Sequence, residues 1–175
     1  MISVLIIAHQ PLATALLGCC RHVYRGLPVQ AAALDIIPDE DPEQALCEAR
    51  ALASRINDGS GQVVLTDLYG ATPSRIAMQM AVPGRVSVLY GVNLPILLKV
   101  FNYRARLPLV ELESMVLRDA ADGIGWVDAG YPGRRLDRGQ PDGAPDPEAP
   151  AASSDAVRND RSLPSDTPPS SPSHS

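Results

Sequence analysis

The sequence predicts an α/β fold: a doubly wound, mostly parallel sheet of about five strands with helices on both faces. Two observations support this prediction. Short, continuous apolar runs, such as residues 2–8, are typical of strands that are buried on both sides. These runs alternate with amphipathic stretches of helical length, and that alternation is typical of βαβ units with right-handed crossovers.

The elements follow from apolar periodicity and from start and stop signals. We expect strands at residues 2–8, 29–36, 62–66, 85–90 and 124–127. We expect helices from residue 12 to the stop at Gly26 and Pro28, from Asp41-Pro42 to residue 56, at 72–81, from Asn93-Leu94-Pro95 onward, and at 108–122. Asp41 and Thr72 are the expected N-caps of the second and third helices, because each carries a side-chain oxygen and precedes a proline suited to the first turn.

Composition divides the chain into a folded domain, residues 1–130, and a tail, residues 131–175. The tail contains nine of the 17 prolines and eight serines, with few large apolar residues. Such a segment cannot bury enough apolar surface to offset its ordering entropy, so we expect it to be disordered.

Charge and cysteine content narrow the functional classes. The net charge is −5 and Lys99 is the single lysine, so no basic patch favours nucleic acid as a partner. No apolar run has transmembrane length, and the N-terminus lacks the basic region of a signal peptide. The cysteines Cys19, Cys20 and Cys47 form no CxxC pair and are predicted to be small core residues in a reducing compartment. We therefore expect a cytoplasmic protein.

His9 and Asp67 each directly follow a predicted strand. In open parallel sheets the carboxyl ends of the strands carry the ligand sites, and the first and third strands are usually neighbours. His9 and Asp67 should therefore lie within side-chain reach. A carboxylate that accepts one ring N–H fixes the tautomer of the imidazole and leaves the other nitrogen as base, nucleophile or ligand.

The residues around this pair favour a histidine nucleophile. No second histidine or cysteine lies at metal-ligand spacing, so we expect no metal, and the chain has no G-x-S-x-G elbow of a serine hydrolase. The helix that starts near Thr72 would present free N–H groups to an anion. Together these features fit a transient phosphohistidine.

The loop between Asp67 and this helix carries a glycine and two large apolar residues. Gly70 permits a left-handed turn, and a role in close approach to a phosphate is about equally plausible for it. Leu68 and Tyr69 are expected to be exposed and could form a docking surface.

Four segments resemble the mannose-family enzyme IIA component of the phosphoenolpyruvate-dependent sugar phosphotransferase system. They are the strand that ends in Ala8-His9, the helix start Asp41-Pro42-Glu43, the segment TDLYGATPS at residues 66–74, and GVNLP at residues 91–95. The resemblance covers roughly residues 1–128. One difference is Gln10-Pro11 after the histidine, where family members usually have a small residue, often glycine.

The resemblance implies a function and a set of site residues. His9 would accept a phosphoryl group from the phosphocarrier HPr and pass it to a IIB component, with Asp67 orienting the ring and the Thr72 hydroxyl near the phosphoryl group. Beside these residues, we expect Gly70 and Ala71 to form the phosphoryl-binding loop, and Leu68, Tyr69 and Asn93 to form the docking surface. No metal or nucleotide cofactor is expected.

The resemblance also implies an assembly. The sheet would have four parallel strands and one antiparallel strand, at residues 124–127, that can be exchanged across a homodimer. An edge strand that short is better protected when it is paired. The membrane would be reached only indirectly, through a transporter complex.

Three alternatives remain open at this stage. A regulatory module would use the same phosphohistidine without sugar transport. A phosphotransfer subunit of a dihydroxyacetone kinase shares the fold but resembles the segment at residues 66–74 less. A flavodoxin-type domain would bind flavin instead.

Overall fold

The computed structural model describes residues 1–26 and 28–124, with the side chain of Asp122 excepted. The helices and strands in chain order are β1 Ser3–His9, α1 Leu12–Tyr24, β2 Ala31–Ile36, α2 Pro42–Ile56, β3 Gln62–Thr66, α3 Thr72–Met78, β4 Val86–Leu89, α4 Leu94–Tyr103 and α5 Leu109–Arg118, followed by a 3₁₀ turn at Ala120–Gly123. None of the helices within these residues has the length and apolar composition needed to cross a membrane.

The four strands form one parallel sheet in the order β2-β1-β3-β4. The chain reverses its winding direction between β1 and β3, which therefore lie side by side at the centre, with Ile7 of β1 opposite Thr66 of β3. The predicted doubly wound parallel sheet is confirmed. The fifth strand expected at residues 124–127 lies outside the described residues beyond Ile124, and so does the whole tail from residue 131.

Apolar helix faces cover both sides of the sheet. Helices α1, α4 and α5 pack on one side, against residues of β1 and β3 that include Ile6 and Leu65. Helices α2 and α3 pack on the other side, against Leu5 and Val64. The first six residues of β1 are fully buried, as expected for a central strand that is covered on both faces. At the carboxyl end of β1, however, His9 is exposed, and the site lies there.

The predicted start of α2 is confirmed, whereas that of α3 is displaced. Asp41 caps α2, because its carboxylate accepts the N–H of Glu43 at 3.1 Å. The cap position of α3 is occupied by Ala71 and not by Thr72, which is instead the first helical residue. Ala71 takes that position because its carbonyl already accepts the first helical bond, from the N–H of Arg75 at 3.0 Å.

Several predicted boundaries shift for local backbone reasons. Strand β2 begins two residues later than expected because Gln30 adopts a left-handed conformation, with φ at +53°. Helix α3 ends at Met78, after which the backbone tightens into i→i−3 hydrogen bonds. The expected helix at residues 108–122 is α5 followed by the 3₁₀ turn.

The prediction for the cysteines is correct for one of the three. Cys20 is buried in the contact between α1 and the sheet, but Cys19 and Cys47 are exposed. The buried stripe of α1 contains Ala13, Leu16 and Cys20, so Cys19 is rotated away from the sheet by one position.

Candidate active site

His9 is the last residue of β1, and its side chain is exposed over 53% of its surface. The preceding six residues are buried, so the imidazole is the first side chain of the strand to reach solvent at the carboxyl edge. The backbone of His9 is held in place, because its N–H donates to Asp67 Oδ2 at 3.0 Å. The ring therefore stands on a rigid strand end, in contact with solvent.

Asp67 follows directly after β3 and contacts His9, as the sheet order leads one to expect. His9 Nδ1 lies 2.7 Å from Asp67 Oδ2, and the Leu68 N–H donates to Asp67 Oδ1 at 2.8 Å. Burial of the Asp67 side chain, which is 13% exposed, disfavours the charged form. The hydrogen bonds from His9 and Leu68 outweigh that burial, so the pKa of Asp67 lies below its ordinary value.

This arrangement determines which ring nitrogen is available for chemistry. An ionised Asp67 carries no proton, so the hydrogen in the 2.7 Å contact belongs to His9 Nδ1. In the neutral ring the lone pair then resides on Nε2. The site consequently offers one nitrogen nucleophile, with a carboxylate behind the ring that stabilises any positive charge gained during reaction.

The segment that follows β4 holds the backbone of Asp67 and of its neighbour Thr66 through two hydrogen bonds. The Gly91 N–H donates to the Asp67 carbonyl at 2.7 Å, and the Val92 N–H donates to the Thr66 carbonyl at 3.0 Å. Both donors lie just beyond the end of β4. They hold the backbone of Asp67 in place, so the carboxylate is positioned by both of its neighbouring strands.

The loop from Leu68 to Ala71 makes the sharp turn that was expected at Gly70. Gly70 has φ at +85°, and a Cβ built there meets no atom within 4 Å. The glycine is therefore required by its left-handed backbone and not by crowding within the protein. The Ala71 N–H donates to the Leu68 carbonyl at 3.3 Å, which closes the turn.

Thr72 lies at the start of α3, five residues after Asp67, and is exposed. Within residues 1–26 and 28–124, no hydrogen bond engages its hydroxyl group. The Ser74 Oγ donates to the Ala71 carbonyl at 2.9 Å, and in the part of the chain that the structure describes no side chain caps the N-terminus of α3.

Leu68 and Tyr69 are exposed, by 64% and 65%. A third residue, Tyr90, joins them: it follows β4, is 59% exposed, and its ring centroid lies 4.9 Å from that of Tyr69. Sequence reasoning missed Tyr90, although an aromatic residue directly before Gly91 at the carboxyl edge was a signal for it.

Asn93, expected at the docking surface, caps α4. Its Oδ1 accepts the Ile96 N–H at 2.9 Å. The residue is partly buried, and the cap occupies its side-chain oxygen while the side-chain NH₂ group takes no part in it.

Asp35 is a second residue that sequence reasoning missed. It lies on β2, where its carboxylate accepts the Thr14 N–H of α1 at 3.1 Å. A charged residue inside an otherwise apolar strand was the signal. Among the residues that the structure describes, no cluster of three or more His, Cys, Asp or Glu side chains could hold a metal ion.

The fold and the site define a parallel α/β domain that presents one histidine, backed by a carboxylate, at the carboxyl edge of its sheet. The chain belongs to the mannose-type EIIA family, described as the PTS system fructose IIA component, whose family model matches residues 3–117. It is therefore a component of the phosphotransferase system, as the resemblance implied.

Solved structures of this kind share the fold. The phosphotransferase system component EIIA from Streptococcus agalactiae is 23% identical with a TM-score of 0.63, over 73% of this chain and 97% of that one. The mannose/sorbose specific IIA subunit from Enterococcus faecalis is 18% identical with a TM-score of 0.64, over 74% and 97%. No curated protein sequence matches the chain significantly.

Proposed function

We propose that this protein is a phosphoryl carrier in which His9 accepts a phosphoryl group from phospho-HPr and passes it to a IIB component. The main support is the 2.7 Å contact between His9 Nδ1 and Asp67 Oδ2. That contact leaves Nε2 as the nucleophilic atom of a ring that is accessible to a protein partner.

In the transfer step, the Nε2 lone pair attacks phosphorus, and the phosphorus–nitrogen bond of the donor's phosphohistidine breaks. The bonding pair returns to the donor's ring, and the Nδ1 proton of His9 remains in place. Asp67 offsets the positive charge that the His9 ring gains. No nucleotide or metal is needed, because one phosphohistidine replaces another at similar energy. We place the Thr72 hydroxyl and the turn at Gly70 and Ala71 beside the phosphoryl group.

Labelling provides the direct test. With enzyme I, HPr and labelled phosphoenolpyruvate, the protein should acquire an acid-labile, base-stable label, and His9→Ala should acquire none. His22→Ala is the matched control, because His22 is an exposed histidine on α1. If His9→Ala were labelled like the parent, the proposal would be wrong. Passage of the label to a IIB component separates a role in transport from a purely regulatory role.

In this proposal the docking surface consists of Leu68, Tyr69, Tyr90 and Asn93. A donor must bring its phosphorus to bonding distance of Nε2, so its surface has to cover this rim. Exposed aromatic residues lose little conformational entropy on binding and often dominate interfaces.

Tyr69→Ala and Tyr90→Ala should each raise KM for phospho-HPr about tenfold. Tyr103→Ala, an exposed tyrosine at the end of α4, should leave KM unchanged.

We also propose a homodimer formed along β4. Within the described sheet, β4 is an edge strand, and a groove of about 230 Å³ runs beside it between β4 and α5. The groove is lined largely by apolar side chains, among them Val88, Leu112 and Val116. A strand from a second copy, at residues 124–127, would pair with β4 and cover these side chains. A monomeric mass in sedimentation equilibrium would contradict this assembly.

We propose that residues 1–130 carry the transfer function in the cytoplasm. The membrane would be reached only through a transporter complex. The mildly acidic charge of −5 gives nucleic acid no electrostatic attraction to the chain.

A further inference from the structure

Helix α1 starts three residues after His9, but its own sequence does not cap it. Pro11 occupies the cap position and makes no side-chain hydrogen bond to the helix. The cap comes from the neighbouring strand instead: the Asp35 carboxylate accepts the N–H of Thr14, the third residue of α1, at 3.1 Å. A carboxylate at this end of a helix is also stabilised by the helix dipole.

Asp35 therefore acts on the segment that carries His9. It lies opposite Ala8 in the sheet, and the Gln10 N–H next to His9 donates to the Ile36 carbonyl at 3.0 Å. The backbone from His9 to Thr14 is thus attached to β2 at two points. On its other side, His9 is attached to Asp67 through its N–H and its ring.

We propose that Asp35 is a positioning residue for phosphoryl transfer at His9. The inference rests on the proposed function. Without the Asp35 cap, the first turn of α1 frays, and the Gln10-Pro11 connection no longer holds the His9 ring in register with Asp67. A misplacement of about 1 Å in a reacting group costs up to about 100-fold in rate, so even partial loosening at His9 is measurable.

The chain offers a matched control for this idea. Asp41 caps α2 through the Glu43 N–H at 3.1 Å, the same distance as in the cap of α1. Removing either carboxylate removes one helix cap, with a similar cost in stability. Helix α2 packs on the opposite face of the sheet from α1 and does not follow a site residue. Only the loss of Asp35 should therefore change the chemistry at His9.

The experiment compares Asp35→Ala, Asp35→Asn and Asp41→Ala with the full-length parent, using phospho-HPr as the donor. We expect Asp35→Ala to lower the maximal transfer rate about tenfold, with KM changed less than about twofold, because the docking residues lie on other loops. Asp35→Asn should stay within about threefold of the parent, since an amide oxygen accepts the same N–H. Asp41→Ala should stay within about twofold of the parent, because its cap lies away from His9.

A second measurement observes the His9 ring directly. Nitrogen-15 NMR of the ring should show a mixture of tautomers in Asp35→Ala alone.

Each outcome either supports or overturns the inference. Equal rates for Asp35→Ala and Asp41→Ala would overturn it, as would a fall that appears only in KM. Unchanged His9 ring shifts in Asp35→Ala would overturn it without reference to transfer. A parent that takes no label from phospho-HPr would overturn the proposed function itself, and that result is distinct from a difference between variants.

Discussion

Asp67 accepts three hydrogen bonds, and their distribution explains why this position requires a carboxylate. Its Oδ2 receives both the N–H and the ring of His9, and its Oδ1 receives the N–H of Leu68. An amide has a single acceptor oxygen, so it could accept from His9 or from Leu68, but its NH₂ group would then face the other donor. The side chain at this position both supports the backbone turn and selects the tautomer of His9.

Replacing Asp67 with asparagine should separate these two tasks. We expect Asp67→Asn to fold, because the amide oxygen can still accept at least one of the backbone N–H groups. Transfer from phospho-HPr should fall at least about tenfold, since the amide carries no charge to offset that of the ring and, when its oxygen accepts from Leu68, its NH₂ group faces Nδ1. Asp41→Asn, which keeps a helix cap away from His9, is the control. A transfer rate unchanged in Asp67→Asn would remove Asp67 from the mechanism.

The lowered pKa of Asp67 predicts how its contribution to stability depends on pH. A carboxyl group whose pKa is depressed in the folded state stabilises the protein above its unfolded pKa, near 3.8, and loses that effect as the pH falls through the folded value. The difference in unfolding free energy between the parent and Asp67→Asn should therefore be constant near neutrality and shrink below about pH 4. Urea unfolding between about pH 7 and pH 3 measures it, and a difference that grew in acid would contradict the assignment.

At the residue scale, the sequence predicted contacts that follow from strand ends and missed those that depend on packing. His9 and Asp67 could be paired because each ends a parallel strand and the two strands are neighbours. The partners of Tyr90 and Asp35 come from other elements, Tyr69 and Thr14, and only the folded sheet brings them together. A hydroxyl group at Thr72 fits the role of a cap, but the chain turns one residue earlier.

Among the elements, those with both apolar periodicity and a side-chain cap were predicted best. Helix α2 has an aspartate cap, a proline in its first turn and a stripe of small apolar residues, and its start was predicted to the residue. The phase of α1 was harder to predict, because Leu12 and Val23, apolar residues at helical spacing from Leu16, are exposed, by 38% and 51%. An apolar residue near a helix end carries little information about the buried face.

Replacement by alanine should have opposite effects on stability at two glycines. Gly18 lies inside α1, and a Cβ added to it would meet no atom within 4 Å, so Gly18→Ala should raise the free energy of unfolding by about 0.5–1 kcal/mol. Gly70 has the same free space but a φ of +85°, so Gly70→Ala should lower it by about 1–2 kcal/mol. Urea denaturation of both variants provides the test. Equal shifts would show that backbone conformation does not decide the cost at Gly70.

On the scale of the whole molecule, the two edges of the sheet have different tasks. The carboxyl edge carries His9 and is open to solvent, whereas the amino edge is closed by Arg104, which is 5% exposed. The guanidinium group donates to the carbonyls of Ile2, Val29 and Gln30 at 2.6–3.3 Å and lies 4.7 Å from the centre of the Phe101 ring. It joins the end of α4 to the start of β1 and to the segment that leads into β2.

Replacing Arg104 should therefore change the stability of the protein and leave phosphoryl transfer at His9 unchanged. Arg104→Met keeps much of the apolar volume but removes the donor to three carbonyl groups, so we expect a loss of about 2–5 kcal/mol in unfolding free energy. Burial disfavours the charged guanidinium group and lowers the pKa of Arg104. A hydrophobic replacement therefore recovers part of this desolvation cost. Arg106→Met is the matched control, because Arg106 is exposed two residues further on, and it should change stability by less than about 0.5 kcal/mol.

The same variant tests whether the two edges of the sheet act independently. At a temperature where Arg104→Met is folded, its transfer rate should equal that of the parent, because Arg104 and His9 lie at opposite edges of the sheet. Transfer from phospho-HPr, measured beside urea unfolding of the same preparation, gives both quantities. A slow variant that is still fully folded would instead show that the two edges are coupled through the central strands.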